Sequence, residues 1–229
     1  MQDLSIIIPI YFESKEVVER LYNECKSMGA EVIIVDDGDT TQLDVEKLTY
    51  TPHRGYGYAI KQGIKAATRP VVCTLDGDGQ HSVDDAWKLW TMYCMIPDIK
   101  MVVGTRWGLN EPLLRQLGRK VLNFIATCWA GHYLIDLNSG MRIFDRKLTL
   151  DYEPILCDTF SFTTSITISM VTDGYKVAWF PIDVKPRACG KSKVRVIQDG
   201  LVTLWYILTI GFALRTRRLR SWLRHISGR

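Results

Sequence analysis

The chain contains 229 residues, of which 47% are hydrophobic and 24% are charged, a composition typical of a globular protein of one domain. This balance excludes a disordered or fibrous chain. The formal net charge is +4, and six of the 29 basic residues lie in the stretch 215–229, which has no acidic residue. The basic charge is therefore local, which favours contact with an anionic membrane or nucleic-acid surface over general polyanion binding.

The six cysteines are scattered along the chain, and no two of them have the spacing of metal ligands or of a redox motif. Several lie inside apolar runs, where a free thiol packs as a small hydrophobic group. The first residues lack the apolar length of a secretory signal. We therefore expect reduced thiols and a cytoplasmic location.

Strand-like and helix-like patterns alternate over residues 1–105. Continuous apolar runs predict buried strands at 4–9, 31–35, 71–75 and 101–103. Apolar residues at helical spacing predict one helix that follows Ser14 and another that spans 56–67. A third helix is predicted after Ser82, where Asp85 completes a capping box. This alternation is typical of an α/β fold with a mostly parallel sheet flanked by helices.

The second half of the chain is less regular. A helix is predicted over 113–133, and strands are predicted over 141–144 and 177–182. The stretch 162–171 is rich in Thr and Ser and fits either a helix or a strand.

The C-terminal part carries the longest apolar run, 201–214. As a helix this run spans about 21 Å, which is shorter than the roughly 30 Å core of a bilayer. We therefore expect no transmembrane helix. We predict one domain over 1–200, followed over 201–229 by an amphipathic, arginine-rich helical segment that lies at a membrane interface. A packed terminal helix with a solvated basic end is the alternative.

Carboxylates follow two of the predicted strands. Asp36 and Asp37 come after the second strand, and Asp76-Gly-Asp78-Gly-Gln80-His81 comes after the third. Ligands of open α/β sheets bind at the carboxyl ends of the strands, so we expect these side chains to meet at one edge. Asp and Gly also make turns, but two carboxylates two residues apart can hold one hard cation. With the amide oxygen of Gln80, this oxygen-rich set suits Mg²⁺ or Mn²⁺, which can hold a diphosphate.

Two glycine-containing loops leave alternatives open. The stretch Arg54-Gly55-Tyr56-Gly57-Tyr58 fits either a phosphate-binding loop or a tight turn at the start of a helix. The basic stretch 187–193 fits either a loop that closes on a diphosphate or a solvated loop. His81 and His132 are isolated, and we interpret both as structural.

The order of these motifs resembles that of family 2 glycosyltransferases. The resemblance rests on Ile8-Pro9-Ile10-Tyr11-Phe12-Glu13, Val35-Asp36-Asp37-Gly38, Gly55-Tyr56-Gly57-Tyr58-Ala59-Ile60-Lys61-Gln62-Gly63 and Asp76-Gly-Asp78-Gly-Gln80-His81. Later stretches resemble the branch that makes polyprenyl-phosphate sugars, to which dolichyl-phosphate mannosyltransferases belong. These stretches are Gly104-Thr105-Arg106, 136–142 and Gly190-Lys191-Ser192-Lys193. The resemblance covers about residues 4–205 and implies a GT-A fold.

The resemblance also implies a role for each matching residue. The nucleoside is expected at Pro9, Tyr11, Glu13, Val35 and Asp37. The metal and the diphosphate are expected at Asp76, Asp78 and Gln80, with Leu75 and Gly77 beside them in the donor site. The residues expected to pair with phosphates are Arg106, Arg187 and Lys193, and those expected to act in catalysis are Asp78, Arg106 and Lys193. The acceptor is expected near Arg119 and Ser139.

Three residues depart from the family pattern. Phe12 stands where an asparagine is usual, and Gly77 and Gly79 replace larger residues within the metal motif. None of the three removes a metal ligand, but each is expected to alter how the donor fits.

The implied reaction is metal-dependent transfer of a sugar from a nucleotide sugar to a polyprenyl phosphate, with inversion at the anomeric carbon. GDP-mannose and UDP-hexoses both remain candidate donors. The acceptor phosphate is already ionised near pH 7, which agrees with the lack of a catalytic histidine in the motifs. Such an enzyme works at the cytoplasmic face of a membrane, with the membrane surface and a membrane protein as expected partners and no nucleic acid.

Two alternative hypotheses remain. A family 2 transferase that acts on a glycan or protein hydroxyl needs a carboxylate base, for which Asp136 is the candidate. A catalytically inert subunit of a membrane complex is expected to have lost metal ligands, whereas Asp76, Asp78 and Gln80 are all present.

Overall fold

A mixed β-sheet forms the centre of the molecule. A computed structural model of the chain describes residues 1–106, 113–184 and 196–226. The strands of the described residues are β1 (Leu4–Ile10), β2 (Glu31–Asp37), β3 (Lys47–Tyr50), β4 (Val71–Thr74), β5 (Ile99–Arg106), β6 (Arg142–Asp145) and β7 (Lys176–Ile182). The helices are α1 (Lys15–Ser27), α2 (Tyr56–Ala66), α3 (Val83–Met95), α4 (Leu113–Ala130), α5 (Arg146–Tyr152), α6 (Phe162–Thr172) and α7 (Val196–Ile226), and a 3₁₀ turn spans Glu153–Ile155.

The seven described strands lie side by side in the order β3-β2-β1-β4-β6-β5-β7. Strand β6 runs antiparallel to both of its neighbours, and the other pairs are parallel. The expectation of a mostly parallel α/β sheet is therefore confirmed. The register of β1 on β2 places Pro9 opposite Val35 and Ile10 opposite Asp36, so both strands end at the same edge of the sheet.

Both faces of the sheet are covered by helices, which explains why the strands are apolar on both sides. In β1, Ile7 packs in one cluster with residues of α2, α6 and α7. Its neighbours Ile6 and Ile8 face the other way and pack in a second cluster with residues of α1 and α3. Successive side chains of a strand point to opposite faces, so one short segment anchors two cores.

Local signals in the sequence predicted some elements and missed others. The hydroxyl of Ser82 accepts a hydrogen bond from the backbone N–H of Asp85 at 3.1 Å, which confirms the predicted start of α3. Strand β3 was not predicted, because its four residues carry no continuous apolar run. The ambiguous stretch 162–171 is a helix, α6, in which every residue is buried. A helix buried on all sides shows no amphipathic period, which is why its pattern was ambiguous.

The C-terminal helix α7 begins at Val196, so the predicted domain boundary between residues 200 and 201 lies inside it. Its first half packs against α4 and α6. Ile207, Ile210 and Leu214 are buried in the cluster that also contains Ile7. The part of the chain that the structure describes contains no helix with the length and apolarity needed to cross a bilayer.

Candidate active site

The candidate site lies at the carboxyl ends of β1, β2 and β4. Strand β2 ends in Asp36 and Asp37, and β4 leads through Leu75 into Asp76. The backbone N–H of Leu75 donates to the carbonyl of Ile7 at 2.9 Å, so the chain stays beside β1 as it leaves the sheet. The predicted grouping of carboxylates at one sheet edge therefore agrees with the fold.

The two adjacent aspartates at the end of β2 have different surroundings. Asp36 is fully buried and accepts hydrogen bonds from the backbone N–H groups of Thr40 and Thr41, each at 3.0 Å. The ammonium group of Lys47 lies 2.7 Å from its carboxylate. Burial works against the charged form, but these hydrogen bonds outweigh it and lower the pKa of Asp36. Asp36 therefore fixes the loop between β2 and β3.

Asp37 connects the sheet edge to the start of α2. Its carboxylate accepts from the backbone N–H groups of Arg54, at 2.9 Å, and Gly55, at 2.6 Å. Nδ1 of His53 lies 2.7 Å from the same carboxylate. The ring of His53 stacks on Tyr11 with 4.0 Å between centroids. Tyr11 and His53 thus form a stacked aromatic pair beside a buried carboxylate, and an outer face of such a pair can take a planar base.

His53 was missed by the sequence analysis. A single histidine in a loop carries no motif, and only the fold brings it between Tyr11 and Asp37. Its place just before the matched stretch that begins at Gly55 was the one available signal.

The glycines at the start of α2 serve backbone packing. A Cβ atom on Gly57 would lie 2.2 Å from the carbonyl oxygen of Cys157. The backbone N–H of Tyr58 donates to the carbonyl of Asp158 at 3.0 Å. The backbone at 157–158 thus packs against the N-terminus of α2 and engages one of its N–H groups, which favours a tight turn rather than a phosphate-binding loop.

The carboxylates proposed for the metal lie just beyond β4. Asp76 accepts from the hydroxyl of Tyr56 at 2.9 Å, and 28% of its side chain is exposed. Asp78 is largely buried, and its carboxylate accepts from the backbone N–H of Gln80 at 3.0 Å. The space beside Gly77 is filled, because a Cβ atom there would lie 2.6 Å from Ile10. The departure from the family pattern at Gly77 therefore has a packing reason.

These oxygen donors supply only part of a coordination shell. Within the described ranges, no three or more His, Cys, Asp or Glu side chains gather where they could hold a metal ion. Mg²⁺ typically keeps water and takes further ligands from a bound phosphate. The carboxylates of Asp76 and Asp78 with the amide of Gln80 fit a cation of that kind.

His81 lies behind the metal motif. Its Nε2 is 3.8 Å from the carboxylate of Asp76, and the ring is almost fully buried. Burial lowers the pKa of His81, although the charge of Asp76 acts in the opposite direction. A neutral, buried ring agrees with the structural role expected for His81.

Arg106, at the end of β5, is held by Asp136. Its Nε and Nη2 donate to the two carboxylate oxygens of Asp136 at 3.0 and 2.9 Å. Burial works against the charged form of Asp136, but the charges of Arg106 and then Arg119 outweigh it and lower its pKa. A carboxylate with both oxygens engaged and a lowered pKa is a poor general base. The arrangement therefore disfavours Asp136 as the general base of an enzyme that transfers a sugar to a hydroxyl group.

Arg142 organises the segment after Asp136 and had no assigned role in the sequence analysis. Its side chain is fully buried, and it donates to the carbonyls of Leu137 at 2.6 Å and Ser139 at 2.7 Å. Burial lowers the pKa of Arg142 to about 10, which leaves it cationic at neutral pH.

The remaining expected site residues are placed as follows. Pro9, Val35 and Leu75 are buried, so they support the site from behind. Ser139 is fully buried as well. The carbonyl of Glu13 accepts from the hydroxyl of Thr41 at 3.1 Å. Arg187 and Lys193 lie outside the described residues.

Comparison with known proteins identifies the family. The family model described as glycosyl transferase family 2 matches residues 5–152. The chain is 30% identical over 175 residues to a UDP-N-acetylglucosamine–dolichyl-phosphate N-acetylglucosaminyltransferase of Methanococcus voltae, covering 62% of this chain and 69% of that protein. It is 25% identical over 211 residues to a dolichyl-phosphate hexose transferase of Haloferax volcanii, covering 82% of this chain and 90% of that protein.

The fold is also that of solved glycosyltransferase structures. Glucosyl-3-phosphoglycerate synthase from Mycobacterium tuberculosis, in complex with Mn²⁺, UDP-glucose and phosphoglyceric acid, superposes with a TM-score of 0.73. The match covers 92% of this chain and 80% of that structure at 13% identity, which shows the shared GT-A fold. Since the family model spans well over half of the chain, the protein belongs to glycosyl transferase family 2 and is a glycosyltransferase.

Proposed function

We propose that the enzyme transfers a sugar from a nucleotide sugar to a polyprenyl phosphate, with a divalent cation and with inversion at the anomeric carbon. Two similar proteins are named for transfer to dolichyl phosphate. The observation that carries the proposal is the ion pair of Arg106 and Asp136. It engages the carboxylate that a hydroxyl acceptor would need as a base, whereas a phosphate acceptor arrives already ionised.

The donor is assigned to the edge formed by β1, β2 and β4. Tyr11 and His53 offer an aromatic surface to the nucleobase, with Asp37 beside them. Asp76 and Asp78 would hold the cation, together with Gln80. When bound, the cation would stabilise the negative charge that develops on the departing nucleoside diphosphate.

The acceptor phosphate is assigned to the side of Arg106. Arg106 lies at the end of β5 with its guanidinium oriented by Asp136, and Arg119 contributes positive charge to the same region. An oriented guanidinium favours an approaching phosphate by charge complementarity. The roles in this reaction that we give to Ser139, Arg187 and Lys193 rest on the sequence alone.

A membrane surface is the proposed source of the lipid acceptor. Helices α4 and α7 pack against each other and expose apolar side chains at helical spacing. The exposed residues are Leu113, Leu117, Val121 and Phe124 on α4 and Leu201, Trp205, Leu208 and Phe212 on α7. We call them the apolar surface. Helix α4 contains no acidic residue, and the sequence of α7 ends in an arginine-rich stretch. Exposed apolar groups beside cations suit a bilayer with anionic headgroups.

The proposed function is tested by a screen of labelled donors. GDP-mannose, UDP-glucose and UDP-N-acetylglucosamine are each offered with polyprenyl phosphate and Mn²⁺, and the label is extracted into organic solvent. We expect one donor to yield extractable label that depends on both the lipid and the metal. A parallel reaction contains a water-soluble glycan in place of the lipid, and label on the glycan with none on the lipid would instead support a hydroxyl acceptor.

A further inference from the structure

We propose that the segment 136–140, held by the buried guanidinium of Arg142, positions the carboxylate of Asp76 for the cation. Gly140 and Arg142 are then positioning residues for the transfer reaction, because they act through Asp76 and through the segment 136–140. The inference rests on the proposed function, because it gives Asp76 its role as a metal ligand.

The first observation is the close approach of Gly140 to Asp76. A Cβ atom on residue 140 would lie 2.3 Å from Oδ2 and 2.7 Å from Oδ1 of Asp76. The glycine is required by this lack of space, since Gly140 is not among the residues with a positive φ. On another side, the hydroxyl of Tyr56 donates to Oδ1 of Asp76 at 2.9 Å. The carboxylate is therefore held between backbone at 140 and a side chain of α2.

The position of Gly140 is itself set from two directions. Its carbonyl accepts from the hydroxyl of Thr74, the last residue of β4, at 2.5 Å. The residue before it, Ser139, is held by Arg142, which donates to the carbonyl of Ser139 at 2.7 Å. The segment cannot shift without breaking bonds to a strand of the sheet.

The guanidinium of Arg142 connects several points of this segment at once. Besides Ser139, it donates to the carbonyls of Leu137 at 2.6 Å and Asp136 at 3.5 Å. It also donates to the hydroxyl of Thr167 on α6. A planar fork with five N–H donors can serve these acceptors together, whereas the ammonium group of a lysine cannot.

The same segment carries the ion pair on the acceptor side. Asp136, at its start, holds Arg106, and Gly140, at its end, contacts Asp76. One buried cation thus fixes the spacing between the proposed metal side and the proposed phosphate side of the site. This explains why the first residue of β6 is an arginine that is completely buried.

The test compares Gly140→Ala with Gly200→Ala. A Cβ atom on Gly200, in α7, has no heavy atom within 4 Å, so this variant is a matched control for the added methyl group. Binding of Mn²⁺ is measured by electron paramagnetic resonance with the metal alone and with UDP or GDP added. We expect Gly140→Ala to bind Mn²⁺ at least about 10-fold more weakly, the range typical of residues that orient metal ligands. Gly200→Ala is expected to bind Mn²⁺ like the wild type.

The second comparison is Arg142→Lys with Arg146→Lys. Arg146 also donates to backbone carbonyls, those of Ile64 at 2.9 Å and Lys65 at 3.2 Å, at the other end of β6. We expect Arg142→Lys to weaken Mn²⁺ binding and to lower kcat more than it changes the KM for the donor. Arg146→Lys is expected to change thermal stability alone.

Gly140→Ala keeps the inference testable if Arg142→Lys fails to fold. Wild-type binding of Mn²⁺ by a folded Gly140→Ala protein would overturn the inference. Absence of Mn²⁺ binding by the wild type, with UDP and GDP present, would overturn it as well. A wild type that binds Mn²⁺ but does not glycosylate polyprenyl phosphate would contradict the proposed function and leave the positioning role supported by the binding data.

Discussion

At the scale of single residues, identical side chains in adjacent positions have separate tasks. Asp36 is enclosed by the loop 38–41 and by Lys47, whereas Asp37 faces His53 and the start of α2. Both lie at the end of the same apolar strand, so the pattern along the chain does not distinguish them. The partners that separate them lie 4 to 18 residues away and become neighbours only when the chain folds.

Asp36→Asn tests the structural task of that residue. The substitution keeps the shape of the side chain but removes the charge that pairs with Lys47 at 2.7 Å. We expect the free energy of unfolding at pH 7 to fall by about 2 kcal/mol, measured by urea denaturation. Asp44→Asn is the control, because Asp44 pairs with Lys15 in an exposed position and should change stability by less than about 0.5 kcal/mol.

The difference in stability between the wild type and Asp36→Asn is expected to depend on pH. The pKa of Asp36 is lowered in the folded state, so its charge stabilises the fold above its ordinary pKa. That contribution is lost as the pH falls through the lower, folded pKa. The stability difference between the wild type and Asp36→Asn should therefore shrink below about pH 4. If the stability difference stays constant as the pH falls from 7 to below about 4, the lowered pKa assigned to Asp36 is contradicted.

Arg106→Ala and Lys193→Ala test the residues expected to meet phosphate charge. Each is expected to lower turnover about 100-fold, because each removes a cation from the developing negative charge. Arg106→Ala also leaves the buried carboxylate of Asp136 without its main partner. The double variant Arg106→Ala with Asp136→Asn removes that penalty and should recover stability without recovering turnover. If the turnover of Arg106→Ala or Lys193→Ala is near that of the wild type, the substituted residue has no role in the reaction.

At the scale of elements, helix α7 has two faces with different tasks. Ile207, Ile210 and Leu214 are buried in the core, while Trp205 is 66% exposed. Deleting residues from 201 onward would therefore remove part of the core as well as the apolar surface. Point substitutions on the exposed face separate membrane contact from folding, which truncation does not.

Vesicle binding tests the apolar surface directly. We expect Phe124→Gln and Trp205→Gln each to reduce co-sedimentation with vesicles of phosphatidylglycerol and phosphatidylcholine, because each removes an exposed apolar group from the bilayer interface. Trp87→Gln is the control, since Trp87 is also exposed but lies on α3. Equal pelleting of all three variants would defeat the membrane role. A loss of dimers measured by light scattering, without a change in pelleting, would assign the apolar surface to contact between two copies of the chain.

At the scale of the whole molecule, the proposed reaction depends on a cation that holds both the protein and the donor. Treatment with EDTA is expected to abolish sugar transfer, and added Mn²⁺ or Mg²⁺ should restore it. Asp78→Ala should lose transfer permanently, because a ligand of the cation is gone. The assay follows lipid-extractable label, and circular dichroism checks that the variant is folded. Full transfer in EDTA would disprove the metal assignment.

The family and the sheet could be predicted because their signals are local. Apolar runs, turn residues and the spacing of Asp76, Asp78 and Gln80 are properties of short segments. They predicted a mostly parallel sheet and the family, and both predictions are confirmed. Strand β3 was not predicted, and the stretch that forms α6 was left open between helix and strand, because a short strand and a fully buried helix lack a distinctive period.

The amino-acid sequence by itself therefore determined the class of fold, the family and the position of the carboxylates. Only the tertiary structure decided which side chains pair with one another at the site. The pairing of Arg106 with Asp136 joins residues 30 positions apart, and the contact of Gly140 with Asp76 joins the loop after β4 to the segment before β6. Such contacts depend on the order of strands in the sheet, which no local pattern encodes, and they set the distances and charges on which the chemistry depends.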